Sequence, residues 1–490
     1  MKTTAASDRL DAFVPENGDS TVRVARSRHV VGVIGVAAGV IVALLPVPVG
    51  LTRAAMLNFG GIVWAVISWA ARTLPSFVTA IILAVFWLVV LRLPASTVLG
   101  SFSGTTEWLL LSALVFIVAL EKTGLALRVS RWLVNRLPHT HAGRVLSLVL
   151  CGVLFGPVVP DAIAKVSMLG PIALNIGEES GYAPQSKAMA GLTLGCWLGI
   201  MPLGSVLFMT GSAPNLAIFT ALGAASKDIS WARWFVAALP LIALEAAVLV
   251  PYLLATSRSG TQERLQRPIA QQPFAPVGRS ELVAALVLIA CVLLWATGSL
   301  HHIEAAWIAL AGVAALAVFG VINRTDFATR VDWELWVYVG FITGIGPVMT
   351  ALGASTWLGE MLSPAFSRVS SSPAVFLLAT VCMVFVLRVL LANGITPGVL
   401  TVVILSPIAT AAGIHPFLLV LVSVAASSLW VLPYMNAMFL ALCSSTHGKG
   451  FTQAQASQLN LVFMGCIVIG VIACIPWWRF MGLIQPSGLP

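Results

Sequence analysis

Charge is what this sequence has least of: acidic and basic residues make up 9% of its 490 positions, against 59% hydrophobic ones. Soluble domains carry about a quarter charged residues, so this balance excludes a soluble globular chain. Catalytic signatures are missing too. No Ser-His-Asp order, His-Glu-x-x-His or Walker-type glycine loop is present, so neither an enzyme nor a nucleotide-driven pump is expected. The seven cysteines (Cys151, Cys196, Cys291, Cys382, Cys443, Cys466, Cys474) lack metal-type spacing and sit in apolar stretches, where a thiol serves as a small buried hydrophobe. Residues 1–28 are hydrophilic, and no small-residue cleavage site follows them; a disordered cytoplasmic tail is expected there rather than a signal peptide.

Long apolar runs stand where charge is missing. Val30–Leu45, Phe77–Val90, Leu109–Leu120, Trp234–Leu254, Leu282–Leu294 and Leu459–Ile475 can each, with their flanks, cross ~30 Å of hydrocarbon as helices. The fold class is therefore all-α and polytopic in a membrane. The net charge of +9 does not point to nucleic acid, because the basic residues gather in connections. Arg23, Arg26 and Arg28 precede the first span; Arg128, Arg131, Arg136 and Arg144 share one connection; Arg258, Arg264, Arg267 and Arg279 populate the longest hydrophilic loop. The positive-inside bias assigns all three to the cytoplasm, giving a multi-pass protein of a bacterial inner membrane with a cytoplasmic N-terminus. Trp333, Trp336, Trp477 and Trp478 near span ends suit an aromatic belt, and His301 and His302 a solvated turn.

Two segments break this pattern. Val158-Val159-Pro160-Asp161-Ala162-Ile163-Ala164-Lys165 runs into Gly170-Pro171-Ile172-Ala173, and Asn393-Gly394-Ile395-Thr396-Pro397-Gly398 runs into Ser406-Pro407-Ile408-Ala409. Lipid cannot hydrogen-bond a broken backbone, so such segments persist only inside protein or beside a watery cavity. Their surroundings repeat in order. A Trp-led span (Trp108–Leu120), Gly124, the broken segment and a break at Thr210-Gly211-Ser212-Ala213-Pro214-Asn215 are followed by a Trp-led span (Trp336–Leu352), Gly353, the second broken segment and a break at Leu432-Pro433-Tyr434-Met435-Asn436. The near-constant separation of matching parts argues for duplication. The expected plan is a first repeat over 29–255, a cytoplasmic linker over 256–280 and a second, inverted repeat over 281–490. Together they hold about 11 transmembrane helices, two re-entrant hairpins and two broken helices.

These residues resemble the divalent anion:sodium symporter family (DASS) of the ion-transporter superfamily. The likeness runs from about Phe77 to the C-terminus. Gly211-Ser212-Ala213-Pro214-Asn215 is similar to the family's Gly-Thr-x-Pro-Asn break, and Met168-Leu169-Gly170-Pro171-Ile172-Ala173 to the end of its first hairpin motif. The Glu121-Lys122-Thr123-Gly124 turn and the Pro433-Tyr434-x-Asn436 break are similar as well. There are departures. The family's first Ser-Asn-Thr is Asp161-Ala162-Ile163 here, with Lys165 two residues on. Counting back from Pro407 without a gap puts Pro397 at the second Ser; one insertion makes Asn393-Gly394-Ile395-Thr396 the tip.

The resemblance implies a secondary active transporter of a small anion, a di- or tricarboxylate first and sulfate or a sulfonate second. Transport would be coupled to Na⁺ or H⁺ or run by exchange, through an elevator-like motion against a dimerising scaffold of Val30–Leu93 and Leu282–Val321. A channel-like or sensing membrane protein is the alternative of another class. Hairpin tips and breaks leave free N–H groups for an anion and free carbonyls for a hard cation. The expected substrate site is Asp161, Ala162, Ile163, Lys165, Ser212, Pro214, Asn215, Asn393, Gly394, Ile395, Thr396 and Asn436. The expected Na⁺ ligands are Asp161, Thr210, Gly211, Asn393 and Thr396. Asp161 and Lys165, four apart, share a helix face and can pair; Lys165 is the candidate fixed charge for the anion, and Asp161 a candidate cation or proton site. Arg388 is either a snorkelling interface residue or a second anion-binding cation. Glu245 suggests a helix–helix hydrogen bond, and Glu121 with Lys122 an interface pair.

Overall fold

A computed structural model describes residues 18–71, 73–226, 228–258, 276–358, 360–361, 372–390, 394–430 and 437–485. Among them the only β-pairing is one isolated bridge, Ile414 to Ile484. Everything else regular is helix, as a backbone surrounded by hydrocarbon requires. The first apolar run is α1 (Gly18–Leu44), which begins ten positions before the expected end of the tail. It packs on α2 (Arg53–Ala71), followed by α3 (Ser76–Val89). Then come α4 (Thr105–Thr123) and α5 (Leu125–Arg136), meeting at 69°. Gly124 makes that corner with φ +71°, a left-handed helix end that costs glycine no side-chain clash.

A helical hairpin follows, α6 (His141–Leu154) and α7 (Ala162–Glu179), then α8 (Lys187–Leu198), a π-helical stretch Gly199–Ser205, the break, α9 (Ala213–Thr220) and the long α10 (Trp231–Thr256). Next are α11 (Arg279–Ala296), α12 (Ala305–Val318) and the short α13 (Arg324–Thr329). The order then recurs: α14 (Trp333–Ile342) with α15 (Ile345–Ala351), a hairpin of α16 (Pro373–Leu390) and α17 (Thr396–Ala411), α18 (Phe417–Ser427), α19 (Ala437–Ser445), α20 (Gln453–Ala473) and α21 (Ile475–Phe480). Among the described residues six helical runs are long and apolar enough to cross a membrane, and α4 with α5 makes a seventh if the bent pair is one span. Shorter apolar helices, three of them hairpin arms, accompany these.

Each hairpin is gripped from both halves. Helix α7 packs on α8 of its own half and on α19 of the other; α17 packs on α18 and on α9. Small residues set both crossings. A Cβ on Gly170 would lie 2.3 Å from Ser445 Oγ, and one on Gly398 would lie 2.2 Å from Ile218 Cδ1. Close helix approach through small residues is how helices associate where no hydrophobic drive exists between them. The hairpins are thus built into the centre of the bundle, while α1, α11 and α12 turn residues such as Val33, Leu286, Ile289, Leu293 and Val318 outward.

Several expected roles change. Arg144 is not a loop charge: it is 2% exposed inside α6, with Nη1 donating to Val134 O at 3.0 Å and Nη2 against His139 Nδ1 at 2.7 Å, a strut that fastens α5 to the hairpin. Glu121 and Lys122 pair outward instead of with each other, to Arg330 at 3.5 Å and Asp326 at 2.5 Å, with Arg128 on Glu281 close by. This ion-paired rim joins the ends of α4 and α5 to α13 and α11. Trp478 is fully buried rather than belt-like. Its neighbour Trp477 donates to Val236 O at 3.0 Å, the carbonyl that Pro240 cannot satisfy within α10. Five cysteines are buried as expected, but Cys382 is exposed and Cys443 half-buried.

Candidate functional site

The first hairpin turns at Pro157–Asp161. Asp161 is the N-cap of α7, its carboxylate accepting from the Ile163 N–H at 2.7 Å. An Asp at this position satisfies a donor that helical bonding leaves free. Ala162 is half-buried beside it and Ile163 is 46% exposed. Lys165, one turn along, is wholly buried. Its Nζ does not reach Asp161; it donates to Gly211 O at 2.9 Å. Among the described residues no ion pair joins Asp161 and Lys165, so the expected pairing gives way to a bond between hairpin and break. A capping carboxylate is aimed at its own helix end, which leaves the ammonium to find a carbonyl. Two of the three ammonium donors stay available for an anion.

The break itself is tied down at each polar atom. Thr210 Oγ1 donates to Pro157 O at 2.6 Å and accepts from Trp231 Nε1 at 3.2 Å. The Ala213 N–H donates to Pro160 O at 2.9 Å. Ser212 caps α9 and donates to Asn215 Oδ1 at 2.5 Å. Asn215, fully buried, donates to Ser205 O at 2.6 Å and Phe208 O at 2.9 Å, filling carbonyls that the interrupted helix exposes. Gly211 is required by space: a Cβ there would stand 2.5 Å from Ser205 O and 2.6 Å from Gly204 O. Ser212 and Asn215, expected to face substrate, therefore bond to the chain, whereas Lys165 keeps donors to spare.

This fastening bears directly on a coupling ion. Of the oxygens expected to take Na⁺ in the first half, the Gly211 carbonyl already holds an ammonium, Thr210 Oγ1 holds a donor, and the Asp161 carboxylate holds a helix N-terminus. A carbonyl keeps a second lone pair and a carboxylate a second oxygen, so these bonds leave acceptor capacity beside the donors they hold.

In the second hairpin α16 ends at Leu390 and α17 begins at Thr396, so Pro397 stands in the first turn of a helix. Asn393 and Asn436 lie outside the described residues, as does the Leu432–Asn436 break. Gly394 and Ile395 lead into α17, where Thr396 is buried with Oγ1 2.9 Å from Tyr338 OH. Arg388 is 4% exposed, so it does not snorkel. Its Nη1 would be 3.2 Å from a Cβ on Gly394, and the same Cβ would lie 3.7 Å from Pro214 Cγ of the first break. Gly394 and Pro214, both expected in the site, thus meet across the two halves.

Two features escaped sequence reasoning, and one expectation changes. The π-helical stretch before the break packs its backbone on α6: a Cβ on Gly152 would lie 2.5 Å from Gly199 C, and one on Gly204 2.8 Å from Gly152 O. Irregular turns of this kind recur at functional sites, and Gly152, Gly199, Pro202 and Gly204 were the signal in the sequence. Glu107 is wholly buried at the start of α4, 3.5 Å from Thr343 Oγ1. Glu245 is also buried in α10, and among the described residues its carboxylate has no hydrogen-bond partner, contrary to the expected helix–helix bond.

With this geometry in hand, relatives can be compared. The L-tartrate/succinate antiporter of Escherichia coli K12 is 26% identical over 385 residues, covering 72% of this chain and 78% of the relative. The protein of the same name from Shigella flexneri is 25% identical over the same extent. In structure the chain is similar to the Alcanivorax borkumensis YdaH transporter (TM-score 0.55, 15% identity, 80% of this chain and 89% of that one). It is also similar to Neisseria gonorrhoeae MtrF (TM-score 0.54, 12% identity, 95% and 97%). At such identities these two structures speak for the fold alone. A family description, the sodium:sulfate symporter transmembrane region, matches residues 26–484, nearly the whole chain, and the protein belongs to that family of membrane anion transporters, the DASS group.

Proposed function

We propose that this protein is a secondary transporter of small dicarboxylates that works by exchange, with Lys165 as the fixed positive charge of the anion site. The observation that carries this reading is the wholly buried Lys165 ammonium on Gly211 O at 2.9 Å. A dissociable Na⁺ travels with its substrate and leaves; a lysine cannot. After the anion departs, its charge stays at membrane depth, where an ionised side chain costs about 2.5–3.5 kcal/mol or more. Crossing empty is therefore penalised and crossing loaded is not, so one anion moves inward as another moves outward. The antiporter relatives support exchange.

The two hairpins, packed on α8, α9, α18 and α19, form one body for an elevator-like step. In this reading they move against α1–α3, α11 and α12, the surface through which a homodimer would form. The halves are inverted repeats, the N-terminus is cytoplasmic and the membrane is a bacterial inner membrane. The test is loading dependence in proteoliposomes. Radiolabelled succinate, tartrate, citrate and sulfate are offered to vesicles that hold, or lack, unlabelled succinate inside. Uptake several-fold higher in loaded vesicles supports exchange. Equal uptake in empty vesicles that stops at equilibrium indicates a passive channel.

A further inference from the structure

We infer that a cavity between α8, α10 and α20 holds the phosphate of an anionic phospholipid, with Lys187 and Arg258 as its cations. The cavity measures about 250 Å³ and lies where α8 and α20 begin and α10 ends. That is less than the ~300–1,000 Å³ of sites that enclose a drug-sized molecule, and it suits one headgroup. This end of the bundle is the one that the positive-inside bias assigns to the cytoplasm. Lys187 is the first residue of α8, and Arg258 stands two residues beyond the last of α10. Gln458 of α20 and Tyr252 of α10 add neutral donors to the lining. The floor is close-packed. A Cβ on Gly191 of α8 would lie 2.4 Å from Ser257 Cβ, and Ser257 Oγ is 3.0 Å from His141 Nε2 at the foot of the first hairpin. An occupant therefore sits where α8, α10 and that hairpin meet.

Charge around the cavity is of one sign. Among the described residues no acid lines it, and no salt bridge takes Lys187 or Arg258. The N-termini of α8 and α20 add partial positive charge, and the helix that ends here, α10, is followed at once by Arg258. The surface one turn deeper separates a lipid from a free anion. On α10, Val248 is 43% exposed and lies one turn before Tyr252; on α20, Leu461 is 69% exposed and lies one turn after Gln458. Val468 and Ile472 continue the exposed side of α20 along the helix. Apolar ridges that suit acyl chains thus lead up to a mouth that holds two cations. A free phosphate would use the mouth alone. Basic pockets between helices on the cytoplasmic side recognise anionic headgroups in this way.

The experiment titrates the purified protein in detergent with phosphatidylglycerol, phosphatidylcholine or inorganic phosphate and follows the melting temperature. A ligand that binds only the folded protein raises it. Wild type should respond to phosphatidylglycerol and to neither of the others. In the double variant Lys187→Gln, Arg258→Gln, the phosphatidylglycerol concentration for a half-maximal rise should increase about tenfold or more. The double variant Arg131→Gln, Arg136→Gln removes equal charge from α5 and should respond as wild type does. Should the first double variant fail to fold, Lys187→Gln alone decides, with a weaker response expected. An unchanged phosphatidylglycerol response on removing the cavity's cations overturns the inference, as does an equal loss in the α5 variant. A wild-type protein that ignores phosphatidylglycerol overturns it too. So does an equal rise with inorganic phosphate, which would make the occupant a free anion.

Discussion

The two hairpins share one architecture and use their charges differently. In the first, the polar atoms are committed to the adjoining break: Asp161 caps α7, Thr210 and Ala213 bond back to Pro157 and Pro160, and Lys165 reaches across to Gly211. In the second, Arg388 lies beside Gly394, and Thr396 Oγ1 meets Tyr338 OH of α14. The order of helices recurs between the halves, and the difference lies in the charges. One half holds its cation on the break, and the other sets Arg388 beside Gly394.

The sharpest way to break this comparison is Lys165→Met. The account predicts that exchange falls by about tenfold to a hundredfold, matching the ~1.5–3 kcal/mol of a hydrogen bond to a charged group. Initial rates of succinate counterflow measure it, and unchanged rates would mean that the first half's cation only steadies the hairpin. Next in size is Gly211→Ala. The added methyl meets backbone oxygens of Ser205 and Gly204, so the break must shift, at about 1–3 kcal/mol. A lowered melting temperature together with weakened transport is expected; a fully active, equally stable variant would show that the break is looser than its contacts imply.

Smaller still is Trp477→Phe, which removes the donor from the Val236 carbonyl beside Pro240. It should cost about 1 kcal/mol of stability and leave substrate KM alone. The weakest effect belongs to the ion-paired rim. Burial pushes the Asp326 carboxyl up, but the Lys122 hydrogen bond, the Asn323 N–H and the Lys122 and Arg330 charges hold it below its ordinary 3.8. A carboxyl depressed in the folded state stabilises above its unfolded value, and that contribution fades as pH falls through the folded one. The melting-temperature gap between wild type and Asp326→Asn should be present near neutral pH and close as the pH drops below 3.8.

Much of the fold was legible because lipid makes apolar length and helix-breakers almost the whole code. Gly124 and Gly353, matched in sequence as turn glycines, both adopt φ +71°. Pro160-Asp161 and the Thr210–Asn215 stretch fall at a hairpin turn and a helix break as read. In the second hairpin, sequence alone left the register open by an insertion; α17 begins at Thr396, which puts Pro397 in its first turn. Side-chain partners were less legible. Spacing of four put Asp161 and Lys165 on one helix face, but Asp161 stands just outside the helix as its cap, so the spacing rule did not apply. Arg144 looked like one more loop arginine because its carbonyl partner, Val134, lies on a neighbouring helix that the chain reaches only after a turn. Hydropathy also cannot see a π-helical turn; only the glycines at 152, 199 and 204 hinted at the backbone contact it allows.

The central claim is that a tethered ammonium does the work of a coupling cation. It is tested most directly by measuring wild-type succinate exchange in vesicles loaded with succinate, with Na⁺ on both sides and then with Na⁺ fully replaced by choline. The account predicts the same rate in both media; a rate that collapses in choline and rises steeply as Na⁺ is restored would contradict it.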